Sequence, residues 1–218
     1  MDLSRPVLLG AALLTALAVG PWLACAAVRL AAKRNDVRPS VVRIGTTTAL
    51  FAALLVGAGE LTGGRPATVA LAWAAGAGLV LGSVDLLTHR LPDRVTYPAA
   101  LVCTAAFLVD AAVLDTWGAL VRALAAAAAA LAVGWLGWAV SPDGLGRGDV
   151  KLLGLLGLVL GWFGWGVLLG GVFLGLLTGA LLSLVLLATR RVGWRTAIPF
   201  GPPLLVGSVL ALASGSLG

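Results

Sequence analysis

Two aspartates stand where acid–base chemistry is available. Asp85 follows the apolar run ALAWAAGAGLVLGSV, and Asp149 directly precedes KLLGLLGLVLGW. Ionisable groups at membrane segments are costly and usually functional. Two helices of opposite direction can bring these carboxylates to one depth. Like charges at short range resist double ionisation, so a close pair shares a proton. One carboxylate then activates water, and the other protonates or hydrogen-bonds a carbonyl. Plainer readings stand beside this one. Asp149 can pair with Arg147 or Lys151, or cap the helix that follows it. Asp85 can pair with Arg90, and both acids would also suit a cation or proton path.

The other polar candidates are weaker. Asp93 and Asp143 lie in the same loops as the pair. Asp110 and Asp115 read as interface residues, and Asp2, Asp36 and Glu60 carry no signal. His89, the only histidine, comes four residues after Asp85 and is within its reach if that stretch stays helical. A loop or polar-network role is the expectation for it. Cys25 and Cys103 sit in separate apolar runs without CxxC or metal-type spacing, and are expected to be packing residues. Gly144, Gly146 and Gly148 alternate ahead of Asp149. Glycine permits tight turns and close backbone approach. An extended peptide could lie against such a loop, or the loop is an ordinary turn.

The elements that must position these groups are membrane helices. The chain is 60% hydrophobic and 11% charged, with a mean hydropathy of +1.05. Soluble domains carry about 25% charged residues. The composition therefore requires an integral membrane protein. The net charge of +6 comes from residues scattered in short loops, so no nucleic-acid partner is expected. The fold class expected is all-α, a polytopic membrane helix bundle of about eight transmembrane helices forming one domain over 1–218. The spans fall near 7–30, 45–60, 67–84, 95–114, 117–140, 150–167, 169–189 and 197–217, the second being short. The apolar stretch 150–189 suits two helices, with the turn at one of the glycines at 161, 164, 166, 170 or 171. The first run reads as a retained helix rather than a cleaved leader. No soluble domain is expected before or after the spans.

Loop charge sets an orientation. Residues 31–44, 85–94, 141–149 and 190–195 hold nearly all the Lys and Arg, which places them in the cytoplasm. Residues 60–66, 110–115 and the turn near 166 lie opposite, and both termini are outside. Arg5 stands against this assignment. Glycines at four-residue spacing, Gly157–Gly161, Gly166–Gly170 and Gly171–Gly175–Gly179, predict close helix contacts in lipid. Trp117, Trp135, Trp138, Trp162, Trp165 and Trp194 lie near span ends, as interfacial anchors do.

Three blocks carry a family resemblance. They are DLLTHRLPDRVTYP at 85–98, GLGRGDVKLLGLLGLVLGW at 144–162 and IPFGPPLLVG at 198–207. In order and separation the chain resembles the type IV prepilin peptidases, the bacterial branch of the GxGD-type membrane aspartyl proteases. The likeness covers about 67–218. It implies that Asp85 and Asp149 are the catalytic pair. It also implies that Gly146 and Gly148 are the glycines of GxGD and that Lys151 fills the family's basic position after it. Asp93 and Pro92 of LPD are expected to support the site by fixing the loop, Pro92 by ending a turn or local helix. The prolines 199, 202 and 203 predict a bent entry to the last span, bordering a peptide groove.

Larger members carry a cytoplasmic insert with paired CxxC motifs and also N-methylate the new terminus. Here the loop after the first span is only 31–44, without cysteine pairs. The resemblance thus implies a compact form that cleaves leader peptides of type IV prepilin or pseudopilin precursors. It places the protein in the bacterial inner membrane with the active site facing the cytoplasm. Neither a cofactor nor a metal is expected. The expected partners are precursor peptides, membrane lipid and a pilus or secretion machinery. Two other classes remain open: a small cation- or proton-coupled transporter, and a non-catalytic pilus assembly protein.

Overall fold

A computed structural model describes residues 4–141, 145–189 and 199–215. Among them lie eight helices and no strand: α1 (Ser4–Ala32), α2 (Val41–Thr62), α3 (Ala67–Thr88), α4 (Asp93–Leu114), α5 (Trp117–Val140), α6 (Arg147–Phe163), α7 (Trp165–Ala188) and α8 (Gly201–Gly215). Asp143, Gly144, Trp194 and the three arginines at 190, 191 and 195 lie outside the described residues, as does the start of the third sequence block at Ile198.

The protein is a polytopic membrane helix bundle. Six helices are long and apolar enough to cross a bilayer. The other two, α6 with 17 residues and α8 with 15, are shorter. At 1.5 Å per residue they span roughly 25 and 22 Å, against a hydrocarbon core of about 30 Å.

Helix ends depart from the hydropathy reading where local chemistry sets them. α2 is not short. Ser40 caps it, its side chain accepting the Arg43 N–H at 3.3 Å, and Gly63 closes it in the left-handed conformation at φ 63°. Arg43 is therefore helical rather than a loop residue. α3 continues past Val84 to Thr88, because nothing in Asp85–Thr88 breaks a helix. It stops where His89 adopts φ 52°. Histidine tolerates that region better than most side chains. Between α6 and α7 the turn falls at Gly164, whose φ of 152° suits glycine alone.

The chain divides into two compact units, Met1–Leu87 with Pro92–Trp117, and Thr88–Leu91 with Gly118–Gly218. In the first, Ala16, Leu23 and Ala27 of α1, Phe51 and Leu55 of α2, and Val80 and Val84 of α3 form one apolar core. Cys103 of α4 is buried, with its Sγ 3.3 Å from the Ala70 carbonyl, a packing position as expected. In the second unit α6 is the central helix, buried from Gly154 through Trp162. Glycine lets its neighbours approach. A Cβ at Gly157 would lie 2.8 Å from the Ala126 carbonyl of α5, and one at Gly175 of α7 would lie 3.0 Å from Leu204 Cα of α8. The expected Gly166–Gly170 contact is absent: Gly166 faces open space. Trp162 is buried rather than interfacial, whereas Trp117, Trp135 and Trp165 are about half exposed.

Three basic residues outside the arginine-rich loops have polar partners. Arg5 pairs with Glu60 at 3.0 Å. Arg65 pairs with Asp110 at 2.7 Å. Arg122 of α5 donates from Nε to the Gly161 carbonyl at 2.8 Å and from Nη2 to the Trp162 carbonyl. Those carbonyls belong to the last α6 turn, where the helix dipole favours a cation.

Candidate active site

The two proposed catalytic aspartates belong to different units, and each has its own setting. Asp85 is in the last turn of α3, 4% exposed, on the face that also buries Leu81 and Val84. It is helical and buried rather than a residue at the start of a loop. Its neighbours Leu86 and Leu87 are exposed, 59% and 47%. Three residues separate it from the helix end, so the histidine four residues on is already outside the helix. His89 is exposed in the left-handed position that terminates α3, which removes the helical route from His89 to Asp85.

Asp149 is the third residue of α6. Its carboxylate folds back on the helix start: the Gly146 N–H donates to Asp149 Oδ2 at 3.2 Å. The Asp149 N–H in turn donates to the Gly146 carbonyl at 3.0 Å. This is the carboxylate half of a capping box. It satisfies a backbone donor that would otherwise lack a helical partner, and it seats negative charge at the positive end of the α6 dipole. Asp149 is half-buried.

At both glycines an added side chain would meet a neighbouring side chain, while the backbone conformation would allow it. Gly146 has φ −69° and ψ 143°, open to any residue. A Cβ there would lie 2.9 Å from Asp149 Oδ2. At Gly148 a Cβ would lie 2.9 Å from Leu91 Cβ. Between them, Arg147 places its guanidinium 6.0 Å from the ring centroid of Trp138, at the end of α5. Lys151 follows in the same helix, half-buried.

Gly146, Gly148, Asp149 and Lys151 thus share the opening turns of α6. Pro92 and Asp93 lie at the start of α4. Pro92 begins α4 rather than ending a helix: it is the N-cap, and its carbonyl accepts the Val95 N–H at 3.0 Å. Asp93 is the first α4 residue, where a carboxylate complements the dipole. Among the described residues no cluster of three or more histidine, cysteine or acidic side chains could hold a metal ion.

The site reading missed Asp110. Its side chain is fully buried in the protein. One oxygen accepts from Arg65 at 2.7 Å and from Thr116 at 3.1 Å, and the other accepts the Ala67 N–H at 3.0 Å. Ala67 is the first residue of α3, so this clasp pins the opposite end of the helix that carries Asp85. The signal in the sequence is Arg65, the one basic residue of 60–66, and Asp110 in 110–115, a stretch with no basic residue.

Comparison with known proteins bears on the same stretch. The model of the Type IV leader peptidase family matches residues 72–188, more than half of the chain. The chain belongs to the Type IV leader peptidase family. Similar curated proteins are the prepilin leader peptidase/N-methyltransferases of Bacillus subtilis (strain 168), 31% identical over 137 residues, and of Stutzerimonas stutzeri, 33% over 154. That of Burkholderia pseudomallei is 30% identical over 172 residues. These matches cover 63%, 66% and 75% of this chain, and 52%, 51% and 52% of the relatives. The chain thus spans about half the length of the curated relatives it matches. No solved structure matches it. Asp85, Pro92, Asp93, Gly146, Gly148, Asp149 and Lys151 all fall within the family match.

Proposed function

We propose that this chain is a membrane aspartyl endopeptidase of the compact GxGD type. It cleaves the leader from type IV prepilin or pseudopilin precursors at the cytoplasmic face of the inner membrane, and Asp85 and Asp149 are its catalytic pair. The observation that carries this reading is the clamped Asp149 carboxylate. It sits in the opening turn of α6, held by the Gly146 amide, where a Cβ at 146 would lie 2.9 Å from its Oδ2. Its partner in the proposal, Asp85, is a buried carboxylate near a helix end within the same family match.

The chemistry follows from two carboxyl groups holding one proton. The ionised carboxylate takes a proton from water as the water oxygen attacks the scissile carbonyl. The protonated partner donates a hydrogen bond to the carbonyl oxygen as it gains charge. Collapse of the tetrahedral intermediate breaks the C–N bond, and the departing amine takes a proton from the dyad. Substrate enters with its apolar helix in the bilayer and its leader in the cytoplasm. Supporting roles fall to Gly146 and Gly148 through Asp149, to Lys151 beside the substrate path, and to Pro92 and Asp93 through the start of α4.

The test is co-expression with a panel of pilin-like precursors from the same genome, followed by mass spectrometry of each new N-terminus. Wild type should release the leader, and Asp85→Asn and Asp149→Asn at matched membrane levels should not. Processing that survives either substitution overturns the dyad. The mass of the product also reports whether the new terminus is methylated.

A further inference from the structure

Gly148 is bare because Leu91 occupies its side-chain space. A Cβ at 148 would lie 2.9 Å from Leu91 Cβ, 3.4 Å from Cδ1 and 3.5 Å from Cγ. Leu91 is half-buried, and the tetrapeptide Thr88–Leu91 packs with the unit containing α6. The contact falls on the residue directly before Asp149. It falls also on the first turn of α6, and terminal turns of a helix fray more readily than its middle.

We infer that Leu91 is a positioning residue for Asp149, acting through Gly148. Its side chain covers the first turn of α6 and so holds the Gly146 amide and the Asp149 carboxylate in register. The same tetrapeptide leaves α3 three residues after Asp85. Leu91, the first residue of LPD, therefore has a direct task at the opening of α6. Leu91 touches backbone rather than substrate. Its loss should weaken the chemical step and leave substrate affinity alone.

This inference rests on the reading of Asp149 as catalytic, and the experiment separates the two. Cleavage kinetics are measured on purified full-length protein in lipid nanodiscs, with a pilin precursor as substrate. Wild type and Asp149→Asn test the reading. Leu91→Ala, Leu91→Met, Gly148→Ala and the double variant Gly148→Ala/Leu91→Gly test the inference. Leu91→Ala should lower kcat about tenfold with KM within twofold of wild type, and Leu91→Met should keep at least half of kcat. Gly148→Ala should lose at least a hundredfold in kcat, and the double variant should recover to about the level of Leu91→Ala, because the opposing Cβ is gone together with the cover that Leu91 gives. An active wild type with Leu91→Ala unchanged, or with KM rather than kcat altered, overturns the inference alone. So does a double variant no better than Gly148→Ala. A wild type that cleaves no precursor, or an active Asp149→Asn, removes the reading and this inference with it.

Discussion

Gly146 and Asp149 hold each other across the first turn of α6. The glycine amide donates to Asp149 Oδ2 at 3.2 Å, and the aspartate amide donates to the glycine carbonyl at 3.0 Å. The bond is possible because position 146 lacks a side chain. An added Cβ would meet the carboxylate oxygen at 2.9 Å, and the easiest relief is rotation of the carboxylate itself.

Gly146→Ala therefore separates stability from function. The backbone at 146 accepts alanine, and only the Asp149 side chain must move. We expect thermal stability to change by under about 1 kcal/mol, the scale of one capping interaction. Leader cleavage should fall at least tenfold. Thermal unfolding and cleavage rate on the same detergent-solubilised sample check both halves. A variant that unfolds early, or one that cleaves normally, would contradict the role assigned to the bond.

Asp110→Asn should do the reverse. Removing one partner of a buried ion pair costs about 3–5 kcal/mol. The Arg65 side chain is 44% exposed, so solvent screening places the cost nearer about 2–3 kcal/mol. A lower unfolding temperature is expected, with cleavage per folded molecule close to wild type at permissive temperature. Full thermal stability in the variant would show that Asp110 does not pin the start of α3.

Much of this architecture was legible before any coordinates. Uninterrupted apolar runs marked all eight helices, because lipid-facing chain must satisfy its backbone internally. Hydropathy placed ends poorly where side chains decide them: Ser40 extends α2, and Asp85–Thr88 prolong α3 by a turn. The GxGD stretch was visible, yet its geometry was not, since spacing alone cannot say that a glycine is bare because Leu91 or a carboxylate fills its place. Asp110, Arg65 and Arg122 were passed over for a related reason. Their partners lie 45 and about 40 residues away, and a pass along the chain sees each charge by itself. Arg65 and Arg122 share a clue: a basic residue away from the arginine-rich loops needs an acid or a helix C-terminus beside it.

Orientation can be tested with single cysteines in a background lacking Cys25 and Cys103. Asn35→Cys lies in the exposed α1–α2 loop, and Gly118→Cys adds a side chain where there is nothing within 4 Å. A membrane-impermeant thiol reagent should reach Asn35→Cys only from the cytoplasm and Gly118→Cys only from the opposite side. Labelling of both from one side would break the topology that the loop charges imply.

The central claim is that Asp85 and Asp149 act as one site. Its most direct measurement needs no substrate. Asp85→Cys and Asp149→Cys are combined in the cysteine-free background, and membranes are treated with mild oxidant or a short bifunctional thiol reagent. We predict an intramolecular link, absent from each single variant, with the oxidant-formed disulfide reversed by reductant. Two thiols that each react with a monofunctional probe yet never link, with short or longer reagents, would contradict the dyad.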